Sequence, residues 1–261
     1  MDDIIEKAVE RVIRAMYDNL GEPISIDDMA RTAMFSKFHF SRIFQRVTGI
    51  SPGRFLSALR LQEAKRLLLT SSLTVADICH LVGYNSIGTF SSRFRYSVGV
   101  SPTEYRQYRG YVKPLANTKP PCEGHRSVVS GRVWQPPTGQ PGHVVVGLFA
   151  GPIAQGVPIR HSTLAGAGGF TIEDVPDGTW SILAHSVEMG FDQPDPSHAY
   201  MAAYGPVTVA SDQAVHGADL RLRSRCIFDP PVLLAQLDRP MWTTTQAWAT
   251  GRVDHAALPA A

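Results

Sequence analysis

The side chains best equipped for chemistry lie in one stretch, SKFHFSRIFQRVTG, at positions 36–49. On a helical wheel of about 100° per residue with Phe40 at zero, Ile43, Phe44 and Val47 fall within about 60° of it and form a stripe to bury. The opposite side gathers Phe38, Ser41, Arg42 and Gln45, flanked by His39 and Arg46. That set suits the edges of base pairs. Arg forks onto guanine, Gln onto adenine, and an apolar group meets the thymine methyl. Lys37 and Arg46 have the charge and reach to meet phosphates, which positions a protein without reading sequence.

The phrase is written twice, fifty residues apart. Ser36 pairs with Ser86, Phe40 with Phe90, Phe44 with Phe94, Gly49 with Gly99, and Ser51-Pro52 with Ser101-Pro102. The second copy keeps the apolar stripe, Phe90 and Phe94. Its outward face is smaller: Gly88, Thr89, Ser91, Ser92 and Arg95, with Arg95 as the one long cation. Unequal roles follow. The first copy discriminates bases, and the second positions the chain through Arg95, hydroxyls and backbone amides.

The surrounding pattern is helical. Residues 3–19 carry Ile4, Ile5, Ala8, Val12, Met16 and Tyr17 near one face. Ser25 with Asp28, and Thr74 with Asp77, each place a hydroxyl N-cap three residues before a carboxylate. Each opens a short helix ahead of one copy of the phrase, so the repeat is helix, turn, helix. Between the copies, residues 52–69 form a helix of about 27 Å at ~1.5 Å per residue. Two probes carried on neighbouring segments of duplex DNA must lie about 34 Å apart, a spacing that such a helix and its packing can set. Ser101 and Glu104 cap a last short helix.

The overall charge of +2 conceals an asymmetry. Residues 1–113 hold 16 Lys/Arg against 11 Asp/Glu, and residues 114–261 hold 9 against 12. No acidic residue falls between Asp28 and Glu63, a window with Arg31, Lys37, Arg42, Arg46, Arg54 and Arg60. An uncompensated positive patch attracts polyanions. The N-terminus has no signal-peptide pattern, and no apolar run reaches the ~18 residues of a membrane span. Cys79, Cys122 and Cys226 are scattered, as expected for reduced thiols.

Beyond residue 110 the composition turns Pro- and Gly-rich, then the helical period gives way to short β-type runs at 128–134, 144–149, 159–164, 169–175, 179–186, 199–208 and 218–223. This spacing predicts an antiparallel, immunoglobulin-like sandwich. The run VLLAQL, 232–237, is expected to dock. GAGG at 166–169 has no helix after it and reads as a turn. Asp192, Asp195 and His198, after Glu188, sit in a Pro-rich loop and read as solvated groups. No nucleophile elbow, metal-ligand spacing or cofactor motif is present. The chain is therefore expected to have no catalytic residues, metal or cofactor.

Residues 4–109, above all SKFHFSRIFQRVTGISPGRF and VADICHLVGYNSIGTFSSRFRYSVGVSPTEYR, resemble the AraC/XylS transcription regulators. The resemblance implies two helix-turn-helix units joined by a long helix, set in adjacent major-groove segments of double-stranded DNA. It implies base reading at Phe38, Ser41 and Arg42, and at Ile87, Gly88, Thr89 and Ser92. This chain departs from the family in having short or apolar residues at the second set, and in placing this unit first. GFTIEDVPDGTWSI, 169–182, resembles the carboxypeptidase-regulatory-like, transthyretin-like sandwiches. The expected organisation is an all-α double helix-turn-helix domain at 4–110, a linker at 111–125, an all-β sandwich at 126–225 and a tail at 226–261. The protein implied is a bacterial, cytoplasmic, non-enzymatic DNA-binding regulator, monomeric or homodimeric. Two readings of its second unit stay open: a sensor of a small-molecule effector, or an effector-independent surface for protein partners such as RNA polymerase.

Overall fold

The computed structural model describes residues 2–110, 127–139, 141–188 and 199–234. The expected linker, the loop with Asp192, Asp195 and His198, and the tail from 235 lie outside the described residues. Helices come first: α1 (Asp2–Asp18), α2 (Ile26–Ala33), α3 (Lys37–Thr48), α4 (Pro52–Thr70), α5 (Val75–Leu81), α6 (Ile87–Val98) and α7 (Pro102–Gln107). None of the described helices is long and apolar enough to cross a membrane.

The starts of these helices follow local chemistry. Ser25 Oγ accepts the Asp28 amide at 3.2 Å while the Asp28 carboxylate accepts the Ser25 amide at 3.0 Å. Thr74 with Asp77, and Ser101 with Glu104, repeat this reciprocal cap. Each cap stabilises its helix by about 1 kcal/mol. At the other end, Gly49 and Gly99 close α3 and α6 with φ of +79° and +98°, the left-handed geometry that favours glycine.

Two aromatic ladders form the helical cores. Phe40, Phe44 and Phe55 meet in sequence with centroids 5.5 and 5.4 Å apart. Phe90, Phe94 and Tyr105, each fifty residues further on, meet at 5.8 and 5.6 Å. Such spacings and tilts suit the aromatic quadrupole. α4 serves both cores. Phe55, Leu56 and Leu59 pack in the first, and Ala58, Leu61, Ala64 and Leu68 in the second. Its 19 residues span about 28 Å. Arg60, at its midpoint, donates to the carbonyls of Leu20 (2.9 Å), Glu22 (2.7 Å) and Gly83 (3.0 Å), and so ties the first unit to the second.

The β region contains β1 (Val128–Trp134), β2 (Pro141–Phe149), β3 (His161–Leu164), β4 (Gly168–Ile172), β5 (Gly178–Glu188), β6 (Ala199–Val209), β7 (Ala214–Val215), β8 (Leu220–Arg221) and β9 (Arg223–Ser224). One sheet has the order β4-β1-β7 with β8 also on β1; the other has the order β3-β2-β5-β6-β9. The turn expected at 166–169 is shorter than that: residues 165–167 bend between the sheets, while Gly168 and Gly169 already belong to β4, opposite Val133 and Arg132 of β1. Val129, Phe170, Ile172 and Leu220 of the first sheet share one core with Val144, Val146, Leu148 and Ile182 of the second. The expectation of wholly antiparallel pairing needs correction: β7 and β8 run parallel to β1. After β6 the chain leaves the second sheet and re-enters beside β1 in the same direction, in two-residue fragments.

The second sheet is covered on both faces. Its outer face, with Phe149 and Leu183, packs against Leu234 and Ala154. Two segments, 150–158 and 226–234, supply this cover and reach the helices as well. Ile153 enters the first helical core, joined at its edge by Ile227 and Phe228, while Leu233 enters the second. The Leu233 amide donates to Ala154 O (3.0 Å) and the Gly156 amide to Ser97 O (2.7 Å). Lys65 Nζ, buried on α4, donates to Leu233 O (3.2 Å). Arg223 grips Asp229 through both carboxylate oxygens, at 2.7 and 2.5 Å, and fixes the entry of the second segment.

Burial also perturbs His185 of β5. Desolvation, then the positive charges of Arg225 and Lys65, lower its pKa to about 3. Unfolding restores an ordinary value near ~6.5. The neutral imidazole therefore contributes stability that is complete above about pH 6.5 and lost as pH falls towards 3. Urea unfolding between pH 7 and 4.5 is expected to show stability falling by about 1 kcal/mol per pH unit in the lower part of that range. His185→Phe should remove most of this slope. Half-buried His161, lowered by desolvation, supplies a smaller part in the same direction.

Candidate nucleic-acid interface

The aromatic ladder decides which side of α3 stays outside. With Phe40, Ile43 and Phe44 buried, Phe38 is left 83% exposed. Arg42, Gln45, His39 and Arg46 are exposed around it. Ser41 is half-buried, and its hydroxyl donates back to Lys37 O at 2.9 Å. An aromatic ring so exposed on a regular helix contributes little to folding, and a charged fork and an amide share its face. Met34, 75% exposed in the turn before α3, extends the apolar part of this surface. Helical spacing alone gave no sign of Met34, because it lies in the turn, where its φ is +60°.

The cations divide into two sets. Arg31 pairs with Asp28 at 3.1 Å and Lys37 with Asp27 at 3.2 Å, both on the surface. Arg60 is spent on backbone carbonyls. Arg42, Arg46 and Arg54 have no acidic partner among the described residues. The positive window in the sequence thus narrows to these three. Exposed ion pairs of the Lys37–Asp27 kind are worth roughly 0–1 kcal/mol, so Lys37 exchanges Asp27 for another anion at little cost.

On α6, Ile87, Gly88, Thr89 and Ser92 are exposed, and Ile87 keeps 45% of its surface. Gly88, Thr89 and Ser92 leave a shallow hollow bordered by Arg93 and Tyr96. Ser86 Oγ accepts the Thr89 amide at 3.3 Å, which caps this helix; the matching Ser36 makes no such cap. Arg95 is exposed, and its charge acts on Glu104.

Arg95 is not the one outward cation of α6, since Arg93 is exposed too. Arg93 stands fifty residues after Ile43, which is buried. In the first unit α1 packs over α3, and Ala8, Val9, Val12 and Ile13 share a core with Ile43. Among the described residues no helix with the role of α1 covers α6, and the same wheel position is exposed. The reading of the second copy left Arg93 out, and the extra helix over the first unit explains why it is exposed where Ile43 is buried. Cys79, by contrast, is buried as a small core residue beside Tyr84.

Two helix-turn-helix units, each presenting the second helix outward, define a class of helix-turn-helix protein. A family model described as "Helix-turn-helix domain" matches residues 29–108. The HTH-type transcriptional activator AarP of Providencia stuartii is 34% identical over 98 residues, 38% of this chain and 73% of that protein. The lactose operon transcription activator of Staphylococcus xylosus is 27% identical over 106 residues, and the match spans 38% of its length. Among solved structures, an AraC-type regulator from Chromobacterium violaceum is 29% identical with a TM-score of 0.39, covering 42% of this chain and 96% of that one. The DNA-binding domain of AdpA, determined with a target DNA, is 30% identical with a TM-score of 0.38, covering 41% of this chain and 97% of that one. The chain belongs to the AraC family of helix-turn-helix transcription regulators.

Neighbouring phenylalanines of α3 should separate sharply in stability. Phe40→Ala is expected to lose about 3–5 kcal/mol in urea unfolding. Phe38→Ser is expected to stay within about 0.5 kcal/mol of the parent. A large loss for Phe38→Ser would show that its ring packs in the fold and is not presented to a ligand.

Proposed function

We propose that residues 4–110 bind double-stranded DNA sequence-specifically and regulate transcription, with α3 and α6 in adjacent major-groove segments. The observation that carries this reading is the outward face of α3, where exposed Phe38 stands beside Arg42 and Gln45. α3 reads bases through Phe38, Ser41, Arg42 and Gln45, with Arg46 and Lys37 on phosphates. α6 presents Ile87, Gly88, Thr89 and Ser92, and holds the backbone through Arg93 and Arg95. Its short side chains suit shape and van der Waals contact better than forked hydrogen bonds. The printed names of the relatives, transcription activators and a domain bound to target DNA, support the same reading.

Residues 111–125 link the units, and 126–225 form a carboxypeptidase-regulatory-like sandwich of the immunoglobulin type. The following segment, at least to residue 234, acts as a strap on the helices rather than a free tail. The whole is a cytoplasmic regulator with no catalytic site. A sensing role for the β unit is favoured over a purely recruiting one by the two segments that connect its outer face to both helical cores.

Selection of bound sites from random DNA with the full chain tests this. The expected outcome is two half-sites about one turn, ~10 base pairs, apart, with the richer one under α3. Enrichment of one half-site alone would remove α6 from the groove, and no enrichment would remove the reading. Arg42→Ala should lose about 1–3 kcal/mol on the selected site and relax one position, measured by competition against single-base variants. Arg95→Ala should weaken all sequences alike and lower the salt slope by roughly one.

A further inference from the structure

The outer face of the second sheet does not close fully against the segments that cover it. A cavity of about 30 Å³ remains beside Val145, Leu183 and His185, and its opposite walls are Pro152 and Ala154 of one segment and Val232 and Leu234 of the other. Its lining is almost wholly apolar and includes no acidic side chain. One lining residue carries an unmatched polar atom: Nδ1 of buried His185 has no hydrogen-bond partner among the described residues. Native proteins seldom leave such an atom unpaired unless something else binds it. Arg225 Nε is likewise buried without a partner. The charges of Arg225 and Lys65 both act on His185.

The walls have a second property. In each segment alternate side chains point opposite ways. Pro152 and Ala154 face the cavity while Ile153 between them enters the first helical core. Val232 and Leu234 face the cavity while Leu233 between them enters the second. The amide of Leu233 on Ala154 O joins the two walls. A group pushed into the cavity therefore bears on the two side chains that plug the two helix-turn-helix units.

We propose that this cavity is a binding site for a short-chain organic carboxylate, and that its occupancy adjusts how the two helical units are held relative to each other. The carboxylate accepts from His185 Nδ1–H and balances the nearby guanidinium and ammonium, while its alkyl part lies against Leu183 and Val232. A space of about 30 Å³ admits little more than one or two water-sized groups. Anything larger must move a wall. The sheet is fixed by its ladders, so the movable walls are the two segments. The ligand then shifts the population between two placements of Ile153 and Leu233. Only this last consequence rests on reading the helical units as a DNA-binding pair.

The probe is butanoate, titrated calorimetrically into the full chain without DNA, with butan-1-ol and butylammonium as matched controls. Butanoate is expected to bind one to one, with both controls weaker by about tenfold or more. Arg225→Gln should weaken butanoate by about tenfold and leave butan-1-ol unchanged. His185→Phe should abolish butanoate binding, and Arg225→Gln carries the same question if that variant does not fold. Amide exchange at Leu233 and Gly156 should change on saturation. Equal binding of all three probes, no binding of butanoate, or unaltered affinity in both variants overturns the site. Binding with unchanged exchange at both amides overturns the coupling. Because no DNA is present, these failures are distinct from a failed site selection, which is read without butanoate.

Discussion

Six aromatic rings in two sets of three determine what the helical unit can present. Each set fastens a second helix, α3 or α6, by one side to the linking helix or the short helix after it. A helix held by two rings at i and i+4 and a third from the next helix has no freedom to roll. Its opposite side is then outside by necessity, and whatever side chains stand there form the protein's surface chemistry. For α3 these are Phe38, Arg42 and Gln45. For α6 they are mostly short. The difference between the two second helices is written only on the faces that the rings leave free.

The two units are related but not equivalent. α1 gives the first unit an extra layer, which buries Ile43 and leaves Arg93 as its exposed counterpart. Arg60 then joins the units by three hydrogen bonds to backbone carbonyls, a use of guanidinium that stabilises geometry and removes its charge from the surface patch. Half-buried, the cation is tolerated there because each of its three nitrogens donates to a carbonyl.

The β unit is joined to this helical pair by packing on both helical cores. The second sheet is buried on its inner face by the first sheet and on its outer face by segments 150–158 and 226–234. Those segments carry Ile153 to one helical core and Leu233 to the other. Covering a sheet with extended chain leaves small packing gaps, and one such gap is lined by His185, whose Nδ1 has no partner among the described residues.

Local chemistry made much of this legible in the amino-acid sequence. The caps at Ser25, Thr74 and Ser101, the stripe at Phe40 and Phe44, and the length of α4 all depend on residues within a few positions of one another, so periodicity and spacing reveal them. The fifty-residue repeat exposed the doubled unit and the outward set at Phe38, Arg42 and Gln45. The unbroken run VVVGLF even carried a trace of burial on both faces, the mark of a covered strand. What tertiary structure alone decided involves partners far apart in the chain: Arg93 turned outward for want of an α1, Arg60 drawn into backbone carbonyls, β7 and β8 laid parallel to β1, and residues 226–234 pressed between sheet and helices. A side chain's exposure depends on what covers it, and a cover supplied from a hundred residues away leaves no periodic signal at the position it hides.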